Sequence, residues 1–232
     1  MRILTEHDPN PSGTIAEHVA LPPSRPPDRA FIRLNMISSA DGGSEVAGLS
    51  GGLGNRDDHA VFAALREQAD GVLVGMSTVV SEHYHAPTAP DLQIFVIAEN
   101  ADVSGDPDLF ASGRATLVIA EDAGPVPEGV PSLRAGTGGE VDLCKVSALL
   151  AGKIIVMEGG PTTAGSMVSL GLVDELFLTI APRVIGGDSA RVVHGLDADP
   201  TPWEVLHGFV DEQGFLFLRY GRPTVPSQRS TA

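Results

Sequence analysis

The stretch from Lys153 to Gly187 reads KIIVMEGGPTTAGSMVSLGLVDELFLTIAPRVIGG. An apolar run, Ile154 to Met157, stops at two glycines, and a helical pattern begins at Pro161. Glycine adopts positive φ at little cost, and proline suits the first position of a helix, where its missing N–H is not needed. The stretch therefore predicts a strand, a tight turn and a helix, and the apolar alternation from Val173 to Ala181 predicts the next strand.

The predicted turn, Gly159 to Pro161, has a chemical property as well as a shape. The first N–H groups of a helix have no partner within the helix, so they form a natural seat for a phosphate. The helix after the turn has an apolar stripe at Ala164, Met167 and Val168, and Gly171 suits its C-cap. Many such turns are plain connections, so on its own this one indicates only a βαβ unit.

Composition limits the classes of partner. The chain has 232 residues with 42% hydrophobic residues and a mean hydropathy of +0.10, which predicts a globular protein with a well-buried core. The formal charge is −15, with only 15 Lys and Arg residues. Binding to nucleic acid or to anionic membranes draws on basic surface, so we expect neither partner.

The chain has a single cysteine, Cys144, which allows neither an internal disulfide nor a cysteine-based zinc site. The opening residues, MRILTEHDPNPSG, lack an apolar core of signal-peptide length. These features lead us to expect a cytoplasmic protein.

Read in order, the chain predicts one α/β domain. Residues 1–30 are rich in proline and predict an extended N-terminal arm, residues 31–221 predict a single domain, and residues 222–232 predict a disordered tail. The predicted strands lie at 31–39, 71–74, 92–98, 115–120, 154–157 and 173–181, with an edge strand at 132–135 and two strands at 203–210 and 215–220. The last two, joined by four residues, predict an antiparallel hairpin. The fold class is a mostly parallel sheet flanked by helices.

Helix signals separate these strands. Asn55 suits the N-cap of a helix that carries Arg66, and Asp142 suits the cap of a short helix that ends near Ala151. The segment between the third and fourth strands is acidic and predicts irregular structure, as does the glycine- and proline-rich segment at 121–140.

Several chemistries lack their motif. There is no GxxxxGK[ST] phosphate loop and no HExxH, and GxSxG occurs only in broken form around Ser50. His83 and His85 lie two residues apart with no third ligand near them in sequence, so we predict no metal site. What remains is a set of polar residues and glycine turns that the carboxyl ends of parallel strands would gather in one crevice.

Five segments, taken together, resemble the reductase domain of bacterial riboflavin biosynthesis, a member of the dihydrofolate-reductase-like superfamily. They are NMISSADG (35–42), LSGGLGNRDD (49–58), LREQADGVLVGMSTV (65–79), MEGGP (157–161) and LVDELFLTIAPRVIGG (172–187). The similarity covers about Phe31 to Tyr220. It implies transfer of a hydride from NADPH to the ribosyl carbon of a phosphoribosylamino-pyrimidine, giving the ribityl product.

The resemblance also implies roles for individual residues. Ser50, Arg66 and Glu158 would contact the substrate, and Asp41 would lie close to the reaction centre. We expect Asp41 to polarise or protonate the substrate; its alternative role is that of a turn-forming residue before glycine. The expected cofactor-binding residues are Thr78, Glu82, Gly159, Gly160, Pro161, Thr162, Thr163, Ala164, Gly165 and Ser166.

Two positions depart from the family pattern. The riboflavin enzymes carry an arginine for the substrate's phosphate after the helix at Thr78, whereas this chain reads Glu82-His83-Tyr84-His85-Ala86-Pro87-Thr88. Glu99 follows the third strand where a small hydroxyl would better receive the 2′-phosphate of NADPH, so NADH is not excluded.

The sequence therefore leaves three functions open. The first is an NADPH-dependent pyrimidine reductase, the second a reductase of dihydrofolate or another heterocycle, and the third a nucleotide-binding protein without turnover. A small pyrimidine or pterin-like molecule is the expected ligand. The resemblance further implies a homodimer.

Overall fold

The computed structural model describes residues 11–46, 48–87, 89, 91–195 and 202–223. Within these residues, nine strands form one sheet in the order β5-β4-β3-β2-β6-β1-β7-β9-β8. The strands are β1 (Phe31–Ser39), β2 (Gly71–Gly75), β3 (Gln93–Ile97), β4 (Ala115–Ile119), β5 (Ser132–Arg134), β6 (Ile154–Met157), β7 (Glu175–Ala181), β8 (Glu204–Val210) and β9 (Leu216–Gly221). The helices are α1 (Pro11–His18), α2 (Arg56–Glu67), α3 (Met76–Ser81), α4 (Pro107–Ala111), α5 (Leu143–Leu149) and α6 (Pro161–Ser169).

The sheet is parallel from β5 through β7 and antiparallel at its other end, where β9 pairs with both β7 and β8. This confirms the predicted fold class and the predicted terminal hairpin. Because β3, β2, β6 and β1 are parallel neighbours, their carboxyl ends lie side by side at one edge. The buried strands β2 and β6 are short and apolar, as expected of strands covered on both faces.

The helix starts follow their sequence signals. The Asn55 side chain accepts hydrogen bonds from the N–H groups of Asp57 and Asp58, which caps α2. Asp142 caps α5 by accepting from the N–H of Lys145, and Pro161 occupies the first turn of α6. At the end of α6 the C-cap is Leu170, and the predicted cap residue, Gly171, follows it with a φ of +73°.

Two helices were not predicted. The segment read as irregular contains α4, where Asp106 accepts a hydrogen bond from the N–H of Leu109, Pro107 starts the helix, and Leu109 and Phe110 are buried. The prediction of an extended arm is wrong for α1, which is helical. Residues 1–10 of that predicted arm lie outside the described residues.

A buried charged cluster explains why α1 belongs to the fold. Glu175 accepts hydrogen bonds from Arg33 and Arg219, and all three side chains are at most 8% exposed. Arg33 Nη2 also donates to the carbonyl of Val19, and Arg219 Nη1 donates to that of His18. Two buried guanidinium groups therefore hold the end of α1. No local sequence pattern predicts these two contacts.

At the other end of the chain, Arg222 donates hydrogen bonds to the carbonyls of Val173 and Val168 and lies over the Trp203 ring. The predicted tail therefore begins after this residue at the earliest, and residues 224–232 lie outside the described part of the chain. Among the described helices, none has the length and apolar character that a membrane span requires.

Candidate active site

A cavity of about 540 Å³ opens at the carboxyl ends of the central strands. Its walls come from the end of β1 (Asn35 to Ile37), the glycine-rich loop with Ser50, helices α2 and α3, and the turn from Glu158 to Pro161. This is the edge at which ligands bind in open parallel sheets. The structure therefore gathers in one cavity residues that are up to 126 positions apart in the chain, from Asn35 to Pro161.

An ion pair forms the polar centre of the cavity. Arg66 Nε and Nη2 donate to the two carboxylate oxygens of Glu158 at 2.6 and 2.5 Å, and the Tyr84 hydroxyl donates to Glu158 Oε2 at 2.8 Å. The Glu158 side chain is 1% exposed and that of Arg66 is 24% exposed. The guanidinium also lies 4.2 Å from the centre of the Phe62 ring. Such a two-point contact fixes the plane of the guanidinium, which leaves its remaining edge oriented for a ligand.

Burial and charge set the protonation states of this centre. Burial opposes the charged form of Arg66, but the hydrogen bonds and negative charge of Glu158 outweigh it and raise the pKa of the guanidinium. Burial, together with the Glu158 charge, raises the pKa of the Tyr84 hydroxyl well above its usual value. At neutral pH Arg66 is therefore charged and Tyr84 is a neutral donor.

The glycine turn fits a phosphate group. Gly159 and Gly160 have φ values of +122° and +76°, and Gly160 is the N-cap of α6 with no side-chain capping hydrogen bond. A Cβ on Gly159 would lie 3.3 Å from Thr78 Cγ2, and one on Gly160 would lie 3.2 Å from Thr163 Oγ1. A side chain at either position would therefore crowd Thr78 or Thr163, and both glycines line the cavity. Unpartnered N–H groups at a helix start next to such glycines suit a phosphate.

Not all of the predicted cofactor residues line the cavity. Thr78, Glu82 and the residues Gly159 to Pro161 do. Ala164 and Gly165 are buried in α6, where a Cβ on Gly165 would overlap the carbonyl oxygen of His194. Thr162, Thr163 and Ser166 lie on the same helix; the Ser166 hydroxyl donates to the carbonyl of Thr162 at 3.3 Å.

A hydrogen bond joins Ser50 and Glu82, which both line the cavity. The N–H of Ser50 donates to Glu82 Oε1 at 2.8 Å, so α3 holds the glycine-rich loop through this carboxylate. Ser50 lines the cavity, as expected of a residue that would contact the substrate. The role of Glu82 in this structure is to position the loop.

The structure places Asp41 outside the residues that line the cavity. Its exposed carboxylate accepts hydrogen bonds from Ser39 Oγ and from the N–H groups of Ile185 and Gly186, and these bonds lower its pKa to about 2. A carboxylate with this pKa is ionised at neutral pH and cannot donate a proton there. The geometry favours the alternative role, in which Asp41 joins the turn after β1 to the segment after β7.

Tyr84 is a residue that sequence reasoning did not assign. It follows His83, whose φ of +50° turns the chain after α3, and its N–H donates to the carbonyl of Val79. This turn aims the phenol at Glu158, a residue 74 positions later in the chain. No periodicity or motif in the segment signals that contact. His59 and His85 line the cavity as well, and neither had been assigned to it.

The fold and the site together define an α/β protein with a glycine turn and a buried Arg66–Glu158 ion pair in one cavity at the carboxyl ends of its strands. The chain belongs to the family described as RibD C-terminal domain, whose model matches residues 30–216. This confirms the resemblance to the reductase domain of riboflavin biosynthesis.

Individual relatives agree with this assignment. The 2,5-diamino-6-ribosylamino-4(3H)-pyrimidinone 5′-phosphate reductase of Methanothermobacter thermautotrophicus is 29% identical over 181 residues, covering 71% of this chain and 83% of the relative. A pyrimidine reductase-like protein of Corynebacterium diphtheriae has a similar structure, with a TM-score of 0.69 and 23% identity over 84% of this chain and 92% of that one. Dihydrofolate reductase of Enterococcus faecalis, solved with NADP(H), matches with a TM-score of 0.51 and 15% identity over 83% of this chain and 96% of that one. The two structural matches show the shared fold.

Proposed function

We propose that this protein is a reductase of riboflavin biosynthesis that transfers a hydride from a reduced nicotinamide nucleotide to a ribosylamino-pyrimidine. NADPH is the donor that the family resemblance implies, and NADH is its alternative. The bond between the ribosyl carbon and the ring oxygen opens to give an imine, and the ring oxygen becomes a hydroxyl by taking the proton of the attached nitrogen. The imine carbon then gains the hydride and its nitrogen gains a proton, which gives the ribityl chain, and the nucleotide leaves oxidised. The family match and the curated relative support this choice of reaction.

The observation that carries the proposal is the position of Glu158. It is the last residue before the glycine turn, so its carboxylate binds Arg66 while the next two residues form the phosphate seat. A donor seated on the turn and an acceptor held at the ion pair would therefore lie in one cavity. Holding two reactants in near-attack geometry contributes about 7–11 kcal/mol to lowering a barrier.

The protein's own residues bind and orient in this mechanism. Arg66, fixed by Glu158 and Tyr84, would offer its free N–H groups to the carbonyl oxygens of the pyrimidine. Ser50, held by Glu82, would close the substrate end of the cavity. Gly159 and Gly160 with the start of α6 would hold the phosphates of the nucleotide, which supplies the hydride.

One observation supports a second acceptor. Among the described residues that line the cavity, Arg66 is the only Lys or Arg, and Glu158 already neutralises it. The carboxylates of Glu45, Asp58 and Glu82 also line the cavity. The pterin ring of dihydrofolate is neutral and its two carboxylates lie at the far end of its tail, so its reacting ring would meet less repulsion from these carboxylates than a phosphate would. A reductase of dihydrofolate or another heterocycle is therefore the second candidate.

The test is an absorbance assay at the dihydronicotinamide band. The purified protein is mixed with NADPH or NADH and with the ribosylamino-pyrimidine 5′-phosphate, its dephosphorylated form, or dihydrofolate. We expect nucleotide oxidation with the ribosylamino-pyrimidine. Oxidation with dihydrofolate alone would support the second candidate, and nucleotide binding without oxidation by any acceptor would indicate a binding protein.

Substitution of Arg66 by lysine tests the acceptor site. Lysine keeps the charge but loses the two-point contact with Glu158, so we expect kcat/KM for the pyrimidine to fall on the order of 100-fold. The dissociation constant of the nucleotide should stay within about twofold, since the phosphate seat is separate. Arg56→Lys, an exposed position on the same helix, is the matched control. An equal loss of nucleotide and pyrimidine binding in Arg66→Lys would contradict this division of the cavity.

A further inference from the structure

Glu99 lies where a dinucleotide seated on the glycine turn would place its second ribose. It follows β3, which is separated from β6 by β2 alone, and the three strands are parallel. Neighbouring strands are about 4.8 Å apart, so the ends of β3 and β6 are roughly 10 Å apart. The turn at Gly159 and Gly160 follows β6, and the cavity extends from it toward β1. A nicotinamide in the cavity therefore directs the other end of the dinucleotide toward β3.

Helix α3 lies between the glycine turn and the segment after β3 and contacts both. On one side, Thr78 contacts the glycine turn, with Cγ2 3.3 Å from the Cβ position of Gly159. On the other side, Val80 Cγ2 lies 2.6 Å from the Cβ position of Gly105, in the segment after β3. Ala101 and Val103 of the same segment pack against the buried cluster that contains Val79. The segment that begins at Glu99 therefore packs against α3, the helix whose Thr78 contacts the glycine turn.

This segment, residues 98–108, carries only negative charge. It contains four carboxylates, Glu99, Asp102, Asp106 and Asp108, and no lysine or arginine. Asp106 accepts the N–H of Leu109, and hydrogen bonds from Ser104 lower the pKa of Asp102, so that group is ionised at neutral pH. Glu99 is exposed. A 2′-phosphate, which carries about 1.5 to 2 negative charges at neutral pH, would enter a field of its own sign.

A cation from elsewhere would have to offset this field. On the β4 side, Arg134 donates to the carbonyls of Ala120, Glu121 and Gly124, and Lys145 pairs with Glu121, so both cations already have partners. A further candidate lies on the other side of the glycine turn. Arg191 belongs to the segment after β7, where the N–H of Ser44 donates to the carbonyl of Ala190 and the N–H of His194 donates to the carbonyl of Pro161. These contacts hold the segment on the β1 and β7 side of α6. The β3 side, where the second ribose would lie, gains no cation from it.

We propose that this protein selects NADH over NADPH through Glu99, whose carboxylate accepts hydrogen bonds from the hydroxyls of the adenosine ribose. Only the 2′-phosphate distinguishes the two donors, so the segment after β3 decides between them. A carboxylate after a neighbouring strand performs the same selection in other dinucleotide-binding sheets. The inference rests on the proposed function, because it assumes a dinucleotide on the glycine turn.

The experiment measures binding rather than turnover. The protein is titrated with NADH and with NADPH, and the dihydronicotinamide fluorescence gives each dissociation constant. We expect NADH to bind at least tenfold more tightly. Glu99→Gln and Glu99→Ser should each shift the ratio toward NADPH by about tenfold, since they remove the charge next to the 2′-phosphate. Glu128→Gln is the control. It removes an exposed carboxylate that precedes β5, at the amino ends of the parallel strands and not at their carboxyl ends, so it should leave the ratio of the two dissociation constants unchanged.

The salt dependence of binding distinguishes charge repulsion of the 2′-phosphate from hydrogen bonding between Glu99 and the ribose. Raising the ionic strength from 0.05 to 0.5 M screens exposed charges, so the wild-type preference for NADH should narrow, whereas that of Glu99→Ser should change little. Tighter binding of NADPH than of NADH by the wild type would overturn the inference and leave the proposed function standing. Failure to bind either nucleotide would overturn both.

Discussion

At the scale of single residues, Asp41 gives a prediction in which the sign of a pH effect can be worked out. Its pKa is lowered to about 2 by hydrogen bonds from Ser39, Gly186 and Ile185. The folded state therefore favours the ionised form, so this contribution to stability is present above the unfolded pKa of 3.8 and is lost as the pH falls toward 2.

Asp41→Asn should consequently lower the free energy of unfolding at pH 7, and the difference from wild type should shrink between pH 4 and pH 2. Urea unfolding at pH 7, 5, 4 and 3 measures it. The pH dependence of kcat above pH 5 should be the same in both proteins, because an aspartate that is ionised throughout that range is not the proton donor. If the pH–rate profile of Asp41→Asn lost one of its limbs, this result would support a catalytic role for Asp41.

The residues of the site differ in how far the sequence could predict them. Arg66 and Glu158 occur in segments that resemble a family, and they pair as the shared cavity requires. Tyr84 reaches Glu158 through a left-handed turn at His83, a conformation that is uncommon outside glycine. A contact that depends on one unusual φ value leaves no pattern in the sequence.

At the scale of elements, α6 is held from outside by the segment after β7. The N–H of His194 donates to the carbonyl of Pro161, and the carbonyl oxygen of His194 lies against Gly165, where no side chain fits. Gly165 was predicted to bind the cofactor, but in this structure its missing side chain allows two backbones to approach.

Gly165→Ala should therefore push this segment off α6 and destabilise the fold by about 1–3 kcal/mol, the range found for overpacked cores. Urea unfolding gives the change, and limited proteolysis should show faster cleavage within residues 188–195. Ser169→Ala is the control on the exposed face of the same helix, and we expect it to change stability by less than about 0.5 kcal/mol. If Gly165→Ala were as stable as the wild type and its proteolysis were unchanged, the close approach of Gly165 and His194 would not contribute to stability.

The elements that were predicted and those that were missed differ in where their stability originates. Helices α2, α5 and α6 begin at local signals, a capping side chain or a proline after glycine. Helix α1 also begins at a proline, Pro11, but it lies in a proline-rich stretch that predicted an extended arm. Its other end is held by Arg33 and Arg219, which donate to carbonyls there. Because both guanidinium groups come from distant strands, only the assembled sheet stabilises this helix.

At the scale of the whole molecule, strand order carries information that the sequence patterns did not. The patterns predicted each of the nine strands of the described sheet, but they did not predict the order β3-β2-β6-β1, which places segments far apart in the chain at one edge. This order brings the ion pair and the glycine turn into one cavity and leaves one strand, β2, between the turn and the end of β3, which Glu99 follows. The function of the edge thus depends on topology, which is set by long-range pairing and not by local propensity.

A ligand that spans this edge should stabilise the entire fold, because it binds the native protein and not the unfolded chain. At 100 times its dissociation constant, a nucleotide adds about 2.7 kcal/mol, which corresponds to a rise in Tm of about 5–10 °C for a chain of this size. Differential scanning calorimetry with NADH and with NADPH measures this rise at matched concentrations. In Gly160→Ala, a Cβ on a residue with φ of +76° should crowd the phosphate seat, so the rise should disappear whatever the Tm of the free variant. An undiminished rise in that variant would place the nucleotide elsewhere on the protein.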